Sequence, residues 1–256
     1  MSSQRFMKRI QMELRELEQS KNDLLQNGIE YAYDEQDMRN IYFMIYGQED
    51  TPYYGGFYFF HFRLPNNYPM EPPIVKYHTQ GLYMDSFCQK SKYFRFNPNL
   101  YTADQDGKVC LSMINTWTGP SWVPTNTLVQ VIIAIQAFVL NKNPLENEPG
   151  YENIEQSSNQ MEYETYKKLI TYMSFDIGMT QMYFRPPFQI PIFTDLIRRW
   201  IISNKPKIME YMERCIEKYG NESILCQIDV FSIYTSISFE ELKTKIQLFL
   251  EHEDFR

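Results

Sequence analysis

The residue type in this chain best suited to covalent chemistry is Cys110, in the stretch "RFNPNLYTADQDGKVCLSM" from Arg95 to Met113. A thiol attacks as its thiolate, so something must favour ionisation or the partner must already be reactive. Three readings are open. The first is a buried structural cysteine, packed as a small hydrophobe. The second is a cysteine hydrolase, which needs an imidazole beside the thiol and a third group to orient it. The stretch holds no histidine, and the nearest, His61 and His78, fall in or beside expected strands. The third is an acyl carrier. A thioester arriving at Cys110 is already activated, so thioester exchange needs some thiolate but no dedicated base. The oxyanion that develops needs a donor, and the side chain of Asn99 can supply one.

The rest of the composition narrows the partners. The formal charge of −7 argues against nucleic-acid binding as the main task, which calls for a basic face. Cys88, Cys110, Cys215 and Cys226 are scattered without CxxC spacing and read as reduced thiols. With three histidines far apart, no metal site is expected, and no cofactor. The longest apolar run, "LVQVIIAIQAFVL" (Leu128 to Leu140), is 13 residues with two glutamines. A bilayer span takes about 20, so this run is expected to be a buried helix and no membrane partner is expected. The charged, amphipathic start does not resemble a signal peptide. A cytoplasmic or nuclear protein is expected, in host cytoplasm if the chain is viral.

Several elements must position Cys110. Phe6, Ile10, Leu14 and Leu17 are spaced to make one apolar face of an N-terminal helix, with Arg5, Lys8, Arg9 and Arg15 on or beside the other face. "IEYAYD" (29–34), "NIYFMIYGQ" (40–48), "GGFYFFHFRL" (55–64) and "PIVKYH" (73–78) read as strands of an antiparallel meander. "LPNNYPMEPPIV" carries four prolines and reads as a rigid connection. Residues 79–124 show little periodicity and read as a long, packed irregular segment. Thr125 or Thr127 is expected to cap the apolar helix, which is expected to be buried nearly all round before Pro144 stops it. A turn-rich acidic loop follows, "NPLENEPGYE" (143–152). Beyond it, helices are predicted near 159–173, 191–203, 205–219 and 238–252. Strands grouped together, with helices before and after, make an α+β chain.

These blocks, in this order, resemble ubiquitin-conjugating enzymes (E2s). "KRIQMEL" resembles their opening helix, and "TPYYGGFYFFHFRLPNNYPMEPPIVKY" their strand and proline block. "FNPNLY…DGKVCLSM" resembles the active-cysteine segment, "TWTGPSWVPTNTLVQVIIAIQ" the Trp-Pro motif and helix, and "NPLENEPGYE" the acidic gate loop. The match covers roughly residues 5 to 155. "FNPN", "KVCLS", "TWTGPSW" and "NEPGYE" are most similar to the large Z-type E2s and to the E2 domains of giant hybrid E2/E3 proteins.

The resemblance implies the ubiquitin-conjugating (UBC) fold. It has an N-terminal helix, a four-stranded antiparallel meander, an irregular active-site segment, a buried central helix and a helical C-terminal extension. It implies a catalytic core over 1–155 and an extension over 156–256. It also implies that Cys110 takes ubiquitin, or a related modifier, from an activating enzyme (E1) as a thioester and passes it to substrate lysine, with or without a ligase (E3). Asn99 would support the oxyanion or the loop. Glu148 would be the gate-loop acid, with Asn147 or Glu146 as neighbouring alternatives. Arg5, Lys8 and Arg9 would face E1, and Met70, Trp122 and Pro124 the E3. The alternative is a noncatalytic E2-like scaffold that binds ubiquitin. Asn97 stands where the family usually has histidine, and ten residues, Leu100 to Val109, separate Asn99 from Cys110, more than is usual. A turn therefore bulges beside the expected active site.

Overall fold

The computed structural model describes residues 3–152 and 160–255. Helix α1 (Ser3–Gln19) buries Ile10 and Leu17 on the predicted apolar face, and a short α2 (Lys21–Gln26) follows. Buried Glu13 ties α1 to the rest of the core. Its carboxylate accepts the Leu128 N–H and the Tyr68 hydroxyl and pairs with Arg9. A carboxylate over the first amides of a helix is favourable there, because those amides lack intrahelical acceptors.

The expected meander forms as β1 (Ile29–Tyr33), β2 (Asn40–Tyr46), β3 (Phe57–Arg63) and β4 (Ile74–Tyr77), antiparallel throughout in the order β1-β2-β3-β4. Ile41 pairs with Phe62 and Phe43 with Phe60, so one face gathers Ile41, Phe43, Ile45, Tyr58, Phe60 and Phe62. All six are buried. The opposite face carries Tyr42, Tyr46, Phe57 and Phe59. A solvated face would alternate apolar with polar residues, but β3 is apolar on both. The reason lies in the C-terminal part.

Residues 79–124 contain more regular structure than expected: a small hairpin of β5 (Leu82–Asp85) and β6 (Lys90–Tyr93). Buried Asp85 closes its tip, accepting the Phe87 and Cys88 amides and the Lys92 ammonium. These contacts hold its carboxyl well below the usual range.

The apolar run forms α3 (Leu128–Ala134) and continues in wider π-type turns, Ile135–Val139. Thr127 is the cap, in a reciprocal capping box with Gln130. Burial all round does not hold. Ile133 and Phe138 are 46% and 64% exposed, making an apolar stripe on the outer side of this helix.

The boundary expected at 155/156 lies outside the described residues, as does the predicted helix start at 159. Helix α4 spans Gln160–Met173 and runs on through π-type turns, Ser174–Gln181, into α5 (Met182–Phe184). This part is seated on the "TPYYGG" connection. Ser174 Oγ lies 2.7 Å from the Tyr58 hydroxyl and donates to the Pro52 carbonyl. A Cβ on Gly178 would lie 3.0 Å from the Gly56 Cα, so glycine on both sides permits the approach.

The two helices predicted over 191–219 are one, α6 (Pro191–Tyr219), with Pro206 inside it. Ile197, Ile201, Ile208, Met212 and Cys215 keep a buried stripe on both sides of the proline, and that packing outweighs the lost hydrogen bond. A hairpin of β7 (Ile224–Ile228) and β8 (Ile233–Ile237) joins the expected helices of the extension, and α7 (Phe239–Leu250) closes it. The extension covers the second face of the meander. The Trp200 ring lies 4.3 Å from Tyr46 and 5.7 Å from Phe57, Phe193 lies 5.9 Å from Phe59, and Phe188 lies 4.7 Å from Tyr42.

Candidate active site

The site is built on one hairpin. The Cys110 amide donates to the Asn99 carbonyl at 2.9 Å, and the next rung pairs Leu100 with Val109. The Tyr101 amide donates to the Lys108 carbonyl, also at 2.9 Å. The additional residues between Asn99 and Cys110 therefore lie beyond these rungs, in the short 3-10 turn Ala103–Gln105. They lengthen the hairpin without separating its base. Gly107 makes the return possible. Its φ is +60°, and a Cβ there would meet the Tyr77 carbonyl oxygen at 2.5 Å. The Gly107 carbonyl in turn accepts the Tyr77 amide, anchoring the turn to β4.

Asn97 holds the base of the hairpin and is fully buried. Its Nδ2 donates to the Tyr53 hydroxyl (2.9 Å) and the Val139 carbonyl (2.8 Å). Its Oδ1 accepts the Asn99 amide (2.8 Å) and Asn147 Nδ2 (3.2 Å). One side chain thus joins the cysteine hairpin, the end of the central helix and the acidic loop. The resemblance marked Asn97 as a substitution at a mainly structural position, without its partners.

Cys110, Asn99 and Glu148 line one pocket of about 480 Å³, together with Trp117, Phe138 and Ala134. No histidine lines it among the described residues. His61 and His78 lie on the far face of the sheet, against Phe188. Burial pushes the Cys110 thiol up, while Lys108, the Tyr101 hydroxyl and Arg95 pull it down, with a net rise. Burial also raises the Glu148 carboxyl, and Arg95 opposes it. The two alternatives for the gate position have structural duties: Glu146 accepts from Asn143 Nδ2, and Asn147 donates to Asn97 and to the Phe138 carbonyl. With a soft nucleophile, a nearby amide side chain and a carboxylate facing one cavity, this arrangement can take an acyl group on sulfur and present it to an amine.

The other predicted residues lie away from this pocket. Arg5 and Lys8 are exposed on α1. Arg9 is half-buried, paired with Glu13, and donates to the Asn126 carbonyl at 2.6 Å. It therefore clamps α1 to the start of α3. Met70 is 64% exposed beside exposed Pro124 and buried Trp122. Trp122 Nε1 donates to the Pro69 carbonyl at 2.7 Å, so the Met70 loop and the Trp-Pro segment form one surface. Among the described residues no cluster of three or more potential ligands could hold a metal ion, and no helix is long and apolar enough to cross a membrane.

The family model for ubiquitin-conjugating enzymes matches residues 9–173. The chain is 45% identical over 155 residues to the ubiquitin-conjugating enzyme E2 Z of Xenopus tropicalis, covering 60% of this chain and 44% of that protein. Its human counterpart is 40% identical over 155 residues, covering 60% and 39%. The probable ubiquitin-conjugating enzyme E2 25 of Arabidopsis thaliana is 38% identical over 192 residues, covering 72% and 28%. The chain thus matches less than half the length of each of these relatives.

Proposed function

The chain belongs to the ubiquitin-conjugating enzyme family, and from that premise we propose that Cys110 carries ubiquitin, or a related modifier, as a thioester. The Cys110 thiolate attacks the carbonyl carbon of the E1-bound thioester, the E1 thiol leaves, and the modifier stays on Cys110. A substrate lysine amine then attacks the same carbonyl. An amide forms and the Cys110 thiolate departs. Asn99 stabilises the oxyanion of the second step or holds the hairpin that presents it. Glu148 orients the incoming amine and accepts its proton.

The observation that carries this reading is the rung that joins the Cys110 amide to the Asn99 carbonyl inside a pocket bordered by Glu148. Exposed Arg5 and Lys8, with Arg9 behind them, supply a basic flank for E1. The Met70, Trp122 and Pro124 surface suits an E3. Protein substrates in the cytoplasm or nucleus complete the proposal.

Incubation with E1, ATP and ubiquitin should give an adduct that reductant removes on a nonreducing gel. Cys110→Ser should give one that thiol reductants leave intact. No adduct with any modifier sinks the catalytic reading and leaves the ubiquitin-binding scaffold.

A further inference from the structure

The extension meets the core across a second cavity, of about 370 Å³, between α6 and the β1 side of the meander. It shares no lining residue with the Cys110 pocket. Leu196, Trp200, Asn204 and Lys207 line it from α6 at steps of four, four and three, so one face of that helix forms a wall. Tyr46, Tyr54 and Phe57 line it from the core, with rings 4.3, 6.3 and 5.7 Å from that of Trp200.

Glu30 lies among these apolar groups. It pairs with Met44 in the β1-β2 register, which puts its side chain on the covered face of the meander, and both residues line the cavity. Glu30 is only 5% exposed. Its Oε1 accepts the Tyr31 amide at 2.9 Å, and no lysine or arginine among the described residues pairs with it. A carboxylate taken out of water without a counter-charge is costly. Glu49 brings a second carboxylate to the exposed rim. Lys207 is the one basic side chain in this lining among the described residues; it is exposed and forms an ion pair with neither carboxylate.

We propose that this cavity binds a small organic cation, a primary ammonium on an apolar stem, with the ammonium at Glu30 and the stem along Trp200, Tyr46 and Phe57. The carboxylate has acceptor capacity beyond the Tyr31 amide, and an ammonium supplies three donors. Aromatic walls attract a cation and also accept its apolar stem. Two carboxylates against one ammonium leave the lining negative, which disfavours an anion. A neutral apolar ligand would dehydrate Glu30 further and give it no counter-charge. The volume lies in the range of small-molecule sites.

The test is calorimetric titration of the full chain with hexylammonium chloride, and with hexan-1-ol and hexanoate as probes of the same stem. Hexylammonium should bind saturably, about tenfold or more tighter than either probe. Glu30→Gln keeps an acceptor for the Tyr31 amide and should weaken hexylammonium about 10- to 100-fold. Glu49→Gln should weaken it about two- to threefold, and Lys207→Ala should tighten it by a similar factor, because each changes one exposed charge at the rim. Glu148→Gln, in the Cys110 pocket, should leave it unchanged. Hexylammonium should also raise the melting temperature, since the cavity exists only while α6 is seated on the core.

No saturable binding overturns the proposal, as does hexan-1-ol binding as tightly as hexylammonium. Affinity unchanged in Glu30→Gln, or lost in Glu148→Gln, overturns it too. If Glu30→Gln does not fold, an affinity that neither Glu49→Gln nor Lys207→Ala changes overturns it instead.

Discussion

Asn97 uses its whole side chain, with two donors and two accepted bonds, to join four parts of the molecule. Replacing it with alanine leaves the Val139 carbonyl and the Asn99 amide without these partners in a buried place. Asn97→Ala should therefore cost about 2–4 kcal/mol, read as a lower urea midpoint. It should also slow discharge to lysine, since the hairpin and the acidic loop lose their common anchor. With no histidine lining the pocket, discharge should rise steadily from about pH 6 to 9 as the amine loses its proton. A bell with a limb near the ordinary histidine pKa contradicts this. Short motifs singled out Cys110, Asn99 and Glu148, and the structure brings all three to one pocket, while their chemical roles belong to the proposal. The bonding of Asn97 was not legible, because most of its partners lie about 40 to 50 positions away.

At the scale of elements, the meander was legible because its aromatic and β-branched runs are long and bounded by glycine and proline. Two small hairpins were not. Strands of four or five residues, as in Lys90–Tyr93 and Ile224–Ile228, are too short to separate from turn or helix by periodicity. The break predicted inside 191–219 followed a sound local rule that tertiary packing overrode. Pro206 still lacks the amide that would bond the carbonyl four residues back. Pro206→Ala should raise stability by about 1–3 kcal/mol, measured by chemical denaturation. Trp200→Ala should lower it by about 2–4 kcal/mol, because Trp200 fills the space over Tyr46, Tyr54 and Phe57.

For the whole molecule, the consequence of a sheet covered on both faces is cooperativity. Calorimetry should show one transition rather than separate core and extension transitions. Acid should weaken the cover first. Burial, followed by His78, Arg63 and Lys76, pushes His61 down to about 4. His78 is lowered too, by burial and Lys76, with Asp106 opposing. The folded chain therefore binds these protons more weakly than the unfolded chain, whose imidazoles titrate near 6.5. The stability they allow is complete above about 6.5 and is lost as pH falls toward about 4. Over that window the melting temperature of the wild type should fall more steeply than that of a His61→Gln, His78→Gln variant. Equal slopes refute the assignment.

The covered sheet also sets a timetable for synthesis. The strands that display Tyr42, Tyr46, Phe57 and Phe59 are complete at Arg63, while the helix that shields them ends at Tyr219, about 150 residues later. At roughly 5–20 residues per second the ribosome needs about 8 to 30 s to supply that shield. During that interval the nascent chain carries a bare aromatic face, and a chaperone or a slow, cool expression regime has the most to contribute.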